Sequence, residues 1–420
     1  MDNPPTPAVI RSMDFDCDII IVGGGLNGPA LALALASAGQ SVTLIDVLPL
    51  KTRKNAGFDG RSYALALTSA RLMQALDIWD AIEEHAQPML DIKVSDGHAG
   101  EGPSPFFMHF DHAEIEEGPM GYMVEDRHLR PALLNAVKKV KMIRQINEDP
   151  VVAQKINTTG VVAHLASGKT IQGKLLVGCD GRGSGTAQRA GISRVGWGYD
   201  QTALVCALNH ALPHNGVAHQ FFMPAGPLAI LPLKGNRSSI VWSETTENAQ
   251  NINTMSDADY LNVLRPRFGS FLGDISLAGA RFTYPLSLSL ANNLVARRVA
   301  LVGDAAHGIH PIAGQGLNAG IRDVAALAEV IADATRRGED IGAAAVLSRY
   351  QTWRRFDNTA LALATDTFNR LFSNDSSILR GVRNVGMGLL SRMPGLRRGF
   401  IREAAGLTGD LPRMLRGEKL

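Results

Sequence analysis

The sequence is poor in cysteine, has almost no net charge and lacks a long unbroken apolar run. Cys17, Cys179 and Cys206 are too few and too widely spaced for a disulfide framework or a metal-ligand pattern, so we expect no metal site and a reducing compartment. The 42 basic and 40 acidic residues leave a net charge of +2, which gives no reason to expect nucleic acid as a partner. Glycines and a proline interrupt residues 18–39, the most apolar stretch, which argues against a membrane-spanning helix of about 20 residues.

What remains is the composition of a globular protein. Hydrophobic residues make up 45% of the 420 and charged residues 20%, enough for one large core or two coupled domains. Residues 1–16 are rich in proline and acid and lack the apolar core of a secretory signal, so we expect them to be a disordered leader. A cytoplasmic location is the corresponding expectation.

The first chemical motif is a glycine-rich turn. Residues 23–28 fit the pattern G-x-G-x-x-G, between a strand over residues 18–22 and an apolar helix over residues 29–38 that Gly39 ends. In such a turn the second glycine lets a pyrophosphate approach the backbone, and free amides at the helix start bind its charge. An acid ends the next strand about 20 residues later, where it can bind a ribose hydroxyl. The motif leaves NAD and FAD open, and its predicted nucleotide contacts are Gly23, Gly25, Leu26, Asn27, Gly28 and Asp46.

Two further motifs place an acid after a strand. Residues 178–184 contain Asp180, and residues 301–307 contain Asp304. The segment 310–318 then opens an apolar helix that extends to about residue 334, and the free amides and positive end of this helix would face whatever lies in front of it. The alternatives are a capping role for Asp180, structural roles for His307 and His310, and an ordinary loop at 314–316.

In order and spacing the three motifs resemble those of flavoprotein monooxygenases of the para-hydroxybenzoate hydroxylase fold. The resemblance covers nearly the whole chain and implies that the first motif binds the ADP part of FAD, the second serves FAD and the nicotinamide donor, and Asp304 contacts the ribityl region. It implies further FAD contacts at Arg127 and Arg61, for which a surface ion pair is the alternative. It assigns no acid–base residue, and the positions it implies around the flavin ring are Pro311, Gly314, Gln315, Gly316, Leu317 and Asn318.

Three other segments, 226–233, 310–328 and 404–412, are similar to the ring hydroxylases of ubiquinone biosynthesis. This resemblance implies that NADH or NADPH reduces FAD, that O2 forms a flavin C4a-hydroperoxide, and that one oxygen atom enters a polyprenylated phenol or quinol. Asp46 departs from the glutamate that is more usual in the family, and Cys179 stands where alanine is frequent. The alternatives are another enzyme of the same fold, such as a halogenase, a prenyl reductase or a hydroxylase of small phenols, and a flavin-binding scaffold of a quinone-biosynthesis complex.

We therefore expect an α/β protein. A Rossmann-like FAD-binding domain would comprise residues 17–197 and 285–365, with an antiparallel substrate-binding sheet over 198–284 inserted between them. Segment 88–120 is expected to be rich in loops and close to the substrate domain. Residues 366–420 are predicted to form basic amphipathic helices that rest on the inner face of a membrane or bind other ubiquinone-biosynthesis proteins. A solvated basic face is the alternative.

Overall fold

The computed structural model describes residues 15–53, 60–100, 102–309, 315–355, 357 and 394–420. Its strands, in chain order, are β1 (Ile19–Val22), β2 (Val42–Asp46), β3 (Ser62–Ala66), β4 (Gln87–Met89), β5 (Asp91–His98), β6 (Gly102–Asp111), β7 (Gly121–Glu125), β8 (Ile143–Asn147), β9 (Val151–Ile156), β10 (Val161–Leu165), β11 (Thr170–Gly173), β12 (Leu175–Gly178), β13 (Arg194–His210), β14 (Val217–Met223), β15 (Gly226–Leu233), β16 (Arg237–Thr245), β17 (Ile275–Leu277), β18 (Phe282–Ala291), β19 (Val295–Ala296), β20 (Val299–Leu301) and β21 (His307–Gly308).

The helices, in chain order, are α1 (Asn27–Ser37), α2 (Leu50–Arg53), α3 (Leu67–Ala75), α4 (Asp126–Lys139), α5 (Gly185–Arg189), α6 (Thr246–Thr254), α7 (Asp257–Phe268), α8 (Gln315–Arg336), α9 (344–355) and α10 (Pro394–Ala404). Short 3₁₀ helices lie at Trp79–Ala81, Glu83–His85, His112–Glu114, Gly303–Ala305 and Arg413–Arg416.

One layer is a six-stranded sheet in the order β19-β20-β12-β1-β2-β8. β1 pairs in parallel with β2 on one side and β12 on the other, so it is buried on both faces and its sequence is uniformly apolar. Ile19 and Ile21 belong to the core under α1 and α8. Ile20 and Val22 point the other way, into a core shared with the three-stranded sheet β9-β10-β11. This is the predicted strand–helix–strand unit.

The ends of α1 follow the sequence closely. The helix begins two residues before the predicted start, because Pro29 is tolerated in a first helical turn. It ends at Ser37, and Gly39 has the left-handed conformation predicted for it, with φ of +82°.

The second layer is a nine-stranded sheet in the order β21-β18-β13-β16-β15-β14-β5-β6, with β17 paired to β13. The pairs β13–β16, β16–β15 and β15–β14 are antiparallel, as predicted. α6 and α7, which the sequence did not indicate, cover one face through a core that includes Leu204, Phe221 and Tyr260. Ala207 and Leu233 on the other face pack against the small sheet β3-β7-β4. The mixed α/β fold class is thus confirmed.

Segment 88–120 was expected to be rich in loops, and this is wrong for much of its length. β5 and β6 lie within it, and β5 extends the large sheet by pairing in parallel with β14. β6 is an edge strand, a position in which prolines are tolerated, and Pro103 lies in it. The segment therefore contains a strand pair that its prolines and glycines did not indicate.

Two predicted domain limits fall inside strands, and one residue of the predicted leader is paired with a strand. The limits at 198 and 285 fall within β13 and β18, which run through them without interruption. Asp16, placed in the leader, pairs its backbone with Gln172, while residues 1–14 lie outside the described residues. Of the predicted C-terminal helices the structure describes α10 and the last 3₁₀ helix. No helix among the described residues is long and apolar enough to cross a membrane.

Candidate cofactor site

The three glycines of the first motif have different surroundings. Gly23 has φ of +109°, and a Cβ there would collide with the carbonyl oxygen of Cys179. A Cβ on Gly28 would collide with the carbonyl oxygen of Gly23, so this glycine lets α1 approach the strand. A Cβ on Gly25 would meet no described atom within 4 Å. Gly25 is therefore the position where the turn leaves room for a ligand, as the pattern predicts for a pyrophosphate.

Asp46 lies at the end of β2, directly beside this turn. Its carboxylate accepts hydrogen bonds from the amide of Gly24 and, at 2.7 Å, from the amide of Leu48. Arg53, which the sequence analysis did not single out, places its Nε atom 3.6 Å from the same carboxylate and donates to the carbonyl oxygen of Gly24 at 3.1 Å. Arg53 is buried, and its charge is paired with Asp46, so the two side chains together hold the turn against the end of β2.

Asp180 in the second motif caps the helix that follows it. Its two carboxylate oxygens accept from the hydroxyl of Ser184 at 2.5 Å and from the amide of Thr186 at 2.9 Å. This is the capping alternative that the sequence left open, and the cofactor contact of Asp180 stays a prediction. The motif still lies against the first one, because the amide of Cys179 donates to the carbonyl oxygen of Val22 at 2.7 Å.

Asn27 brings the first and third motifs together. Its side chain lies so close to Gly303 and Gly320 that a Cβ on either glycine would collide with it. Its Oδ1 atom is buried and has no hydrogen-bond partner among the described residues. Leu26, the preceding residue, is buried in the core and holds the start of α1 in place. The side chain of Asn27 is therefore a free acceptor at the point where the motifs meet.

Two arginines contact the third motif, one through its backbone and one through the carboxylate of Asp304. Arg194 donates to the carbonyl oxygens of Ala305 and, at 3.1 Å, Asp304. Arg182 lies with its Nε atom 3.4 Å from the half-exposed carboxylate of Asp304. Neither contact follows from a local pattern, because each arginine reaches a segment more than 100 residues away.

The start of α8 is described from Gln315, with Pro311 and Gly314 outside the described residues. Gln315 and Gly316 form its first turn, and Leu317 packs partly against the main core. Asn318 accepts from the amide of Ala66 at 2.9 Å and the hydroxyl of Ser69 at 2.7 Å. Its side chain therefore fastens α8 to the start of α3, and its cofactor contact stays a prediction.

A buried ionic cluster lies under the third motif. Asp323 accepts from Arg354 Nε at 2.8 Å, from the amide of Gly303 at 3.0 Å and contacts His307 Nε2 at 2.5 Å. Burial by itself would raise the pKa of Asp323, but the charges and hydrogen bonds of His307 and Arg354 outweigh it and lower the pKa to about 2. His307 therefore serves the structure of the turn, the role that the sequence analysis favoured. His310 lies outside the described residues.

Arg127 and Arg61 are both close to carboxylates. Arg127 Nε lies 2.6 Å from Glu125, and Arg61 Nη2 lies 3.4 Å from Asp126 at the start of α4. Glu125 is also paired at 2.8 Å with Arg237 of the large sheet, a link that the sequence did not indicate. The ion pairs named as alternatives are present, and the FAD contacts of the two arginines stay predictions.

The residues at the junction of the motifs fit FAD. The first motif leaves open space at Gly25, Asn27 offers an acceptor where it meets the third motif, and Arg53 contacts the turn at Gly24. An anionic pyrophosphate would find amides and a guanidinium there, and the amides at the start of α8 would lie at the other end.

Comparisons with known proteins agree with this assignment. The model of the FAD binding domain family matches residues 16–361. The chain is 44% identical to the Rhodospirillum rubrum ubiquinone hydroxylase UbiL, over 100% of this chain and 97% of that protein. It is 34% identical to the Escherichia coli 3-demethoxyubiquinol 3-hydroxylase, over 93% and 98%. The crystal structure of p-nitrophenol 4-monooxygenase PnpA from Pseudomonas putida shares the fold, with a TM-score of 0.77, 20% identity, and 94% and 99% of the two chains covered.

Fold and site thus define an FAD-dependent hydroxylase. The chain belongs to the family of FAD-dependent ring hydroxylases of ubiquinone biosynthesis.

Proposed function

We propose that the protein uses NADPH or NADH and O2 to hydroxylate the ring of a polyprenylated phenol or quinol in ubiquinone biosynthesis. The observation that carries the proposal is the meeting of the first and third motifs at Asn27, with 44% identity to a ubiquinone hydroxylase along the whole chain. Bound FAD would supply the electron transfer and the oxygen chemistry. Sequence identity of 44% supports the reaction class and leaves the ring position open.

The described residues would bind and orient the cofactor. Gly25 would admit the pyrophosphate, Asp46 would bind the ribose, and the amides of Gln315 and Gly316 would face the flavin ring. Arg194 donates to the backbone of Asp304, and the half-exposed carboxylate of Asp304 would accept from the ribityl hydroxyls. Catalysis would then depend on these positions and on the exclusion of water.

The apolar face of the large sheet is the proposed position of the substrate ring. Val205 pairs with Phe282 across β13 and β18, and Ala203 pairs with Tyr284. These side chains share a face with Ala207, which contacts the small sheet beside the cofactor site, because alternate residues of a strand point the same way. Tyr284 is 41% exposed there and offers an aromatic surface to a phenol.

We also propose that α10 contacts a membrane surface. Leu396 and Phe400, four residues apart on one side of the helix, are 47% and 42% exposed. Arg398 is exposed as well but lies on the other side of the helix, because residues two apart do not face each other. An exposed apolar pair on a helix that also carries an exposed basic residue suits an anionic lipid surface, from which a prenylated substrate would come.

The test is the reduction of bound flavin under anaerobic conditions, followed by oxygen. We expect NADPH or NADH to bleach the flavin spectrum faster when a prenylphenol is present, and ¹⁸O₂ to label the product with one oxygen atom. Labelling of a small phenol but not of the prenylphenol would favour another hydroxylase of the same fold. Bound flavin that neither nicotinamide reduces would favour the scaffold.

A further inference from the structure

A cleft of about 1150 Å³ opens on the face of the large sheet that α6 and α7 cover. β5 and β14 form its floor, and the end of α7 and the loop 269–275 form its wall. Phe221, Leu272 and Ile275 line it and belong to the core beneath the two helices. Ala207, by contrast, faces the small sheet beside the cofactor site. The thickness of the sheet therefore separates the cleft from the cofactor site, since neighbouring residues of a strand point to opposite faces.

Aromatic side chains are exposed inside this cleft. Phe107 and Phe271 both line it and are 45% and 36% exposed. The ring of Phe271 stacks on Phe268, with centroids 5.5 Å apart, and lies 4.4 Å from the ring of His219. Large apolar side chains at a concave surface are typical of a binding site.

The cleft also carries positive charge. Lys93 lies opposite His219 on the floor and forms no ion pair among the described residues. Arg265 in the wall donates to the side-chain oxygen of Asn262 at 2.8 Å. Asp274 is the acidic residue of the described lining. Burial together with the charge of Lys93 lowers the pKa of His219 to about 4, which leaves that ring neutral at pH 7.

A buried hydroxyl in the floor has no partner. Ser95 is 2% exposed, lines the cleft, and its Oγ atom has no hydrogen-bond partner in the described part of the chain. Ser95 lies two residues from Lys93 on β5, so both side chains leave the strand on the same face. A buried polar atom without a partner costs free energy that a ligand bound there would recover.

We propose that this cleft binds a small amphipathic organic anion with one carboxylate. Its ring or chain contacts Phe107 and Phe271, and its carboxylate accepts hydrogen bonds from Lys93 Nζ and Ser95 Oγ. The site lies on the far side of the sheet from the cofactor and does not depend on the proposed reaction.

The proposal is tested by calorimetric titration of the full, FAD-loaded chain with naphthalene-2-carboxylate and with octanoate. We expect at least one of them to bind with Kd below about 1 mM, and its neutral analogue, naphthalene-2-carboxamide or octanol, to bind at least fivefold more weakly. Tighter binding of the naphthalene compound would identify a ring-bearing ligand, and tighter binding of octanoate a chain.

Three variants separate this cleft from any other anion site. Lys93→Met and Phe107→Ala should each weaken binding at least fivefold, and Ser95→Ala about threefold, with an unchanged flavin spectrum. Lys234→Met, which removes an exposed lysine in the turn between β15 and β16, should bind as the wild type does. Equal affinity of Lys93→Met and Lys234→Met, or no binding of either carboxylate at 5 mM, would overturn the proposal.

Discussion

At the scale of single residues, two glycines of one turn have different roles: Gly28 allows close packing and Gly25 leaves room for a ligand. A methyl group on Gly28 would collide with backbone, whereas one on Gly25 meets no described atom within 4 Å. We therefore predict that Gly25→Ala lowers FAD affinity at least tenfold and changes the unfolding free energy of the FAD-free protein by less than about 0.5 kcal/mol. Flavin fluorescence titration and thermal unfolding measure the two effects.

The matched control for this variant is Gly198→Ala. A Cβ at Gly198 also meets no described atom within 4 Å, but the residue lies in β13, away from the turn. It should leave both the FAD affinity and the stability unchanged. If Gly25→Ala binds FAD within twofold of the wild type, the pyrophosphate does not approach at this position.

The ionised Asp323 should contribute to the unfolding free energy, and this contribution should be lost in acid. Its folded-state pKa of about 2 lies below the unfolded value of about 4, so its contribution to stability is complete above pH 4 and is lost as the pH falls towards 2. Asp323→Asn would remove one of the two carboxylates that the buried guanidinium of Arg354 contacts, the other being Asp357, and we predict a loss of about 3–5 kcal/mol in unfolding free energy.

Chemical denaturation between pH 3 and pH 7 measures this effect. Asp77→Asn, at an exposed ion pair with Lys419, is the control and should cost less than about 1 kcal/mol. A variant at Asp323 that matches this control at pH 7 would show that the cluster does not stabilise the third motif.

At the scale of elements, α10 is attached to the protein by two arginines and exposes two apolar side chains. Arg397 pairs with Glu114 at 2.8 Å and Arg402 with Glu117 at 3.2 Å, so these two arginines attach the helix to the protein. We predict that replacing Leu396 and Phe400 together by serine lowers binding to vesicles of anionic phospholipid at least fivefold, because both side chains are exposed. Vesicle flotation measures the bound fraction.

Met142→Ser is the control for this pair. Met142 is 40% exposed but lies in the turn before β8, far along the chain from α10, and its loss should not change vesicle binding. Equal flotation of the wild type and the double variant would favour the solvated basic face instead.

At the scale of the whole molecule, the cofactor site depends on segments far apart in sequence. β20 and α8 come after β13 to β18 of the large sheet, yet β20 pairs with β12 and α8 shares the core of α1. We predict that a fragment ending at residue 293 neither binds FAD nor unfolds cooperatively, because it loses that half of the core. Size-exclusion chromatography with flavin absorbance, beside the full chain, is the measurement, and a monomeric fragment with stoichiometric FAD would contradict the prediction.

The sequence by itself determined the features that depend on short stretches of backbone. The glycine turn, the left-handed Gly39 and the alternating strands of the large sheet could be predicted because conformation and periodicity are local properties. Tertiary structure alone decided that Asn318 fastens two helices and that Arg194 holds the third motif. It also decided that segment 88–120 contains strands of the large sheet, since β5 pairs with β14, which lies far along the chain. Partners in hydrogen bonds and ion pairs come from distant segments, and only the folded chain brings them within reach.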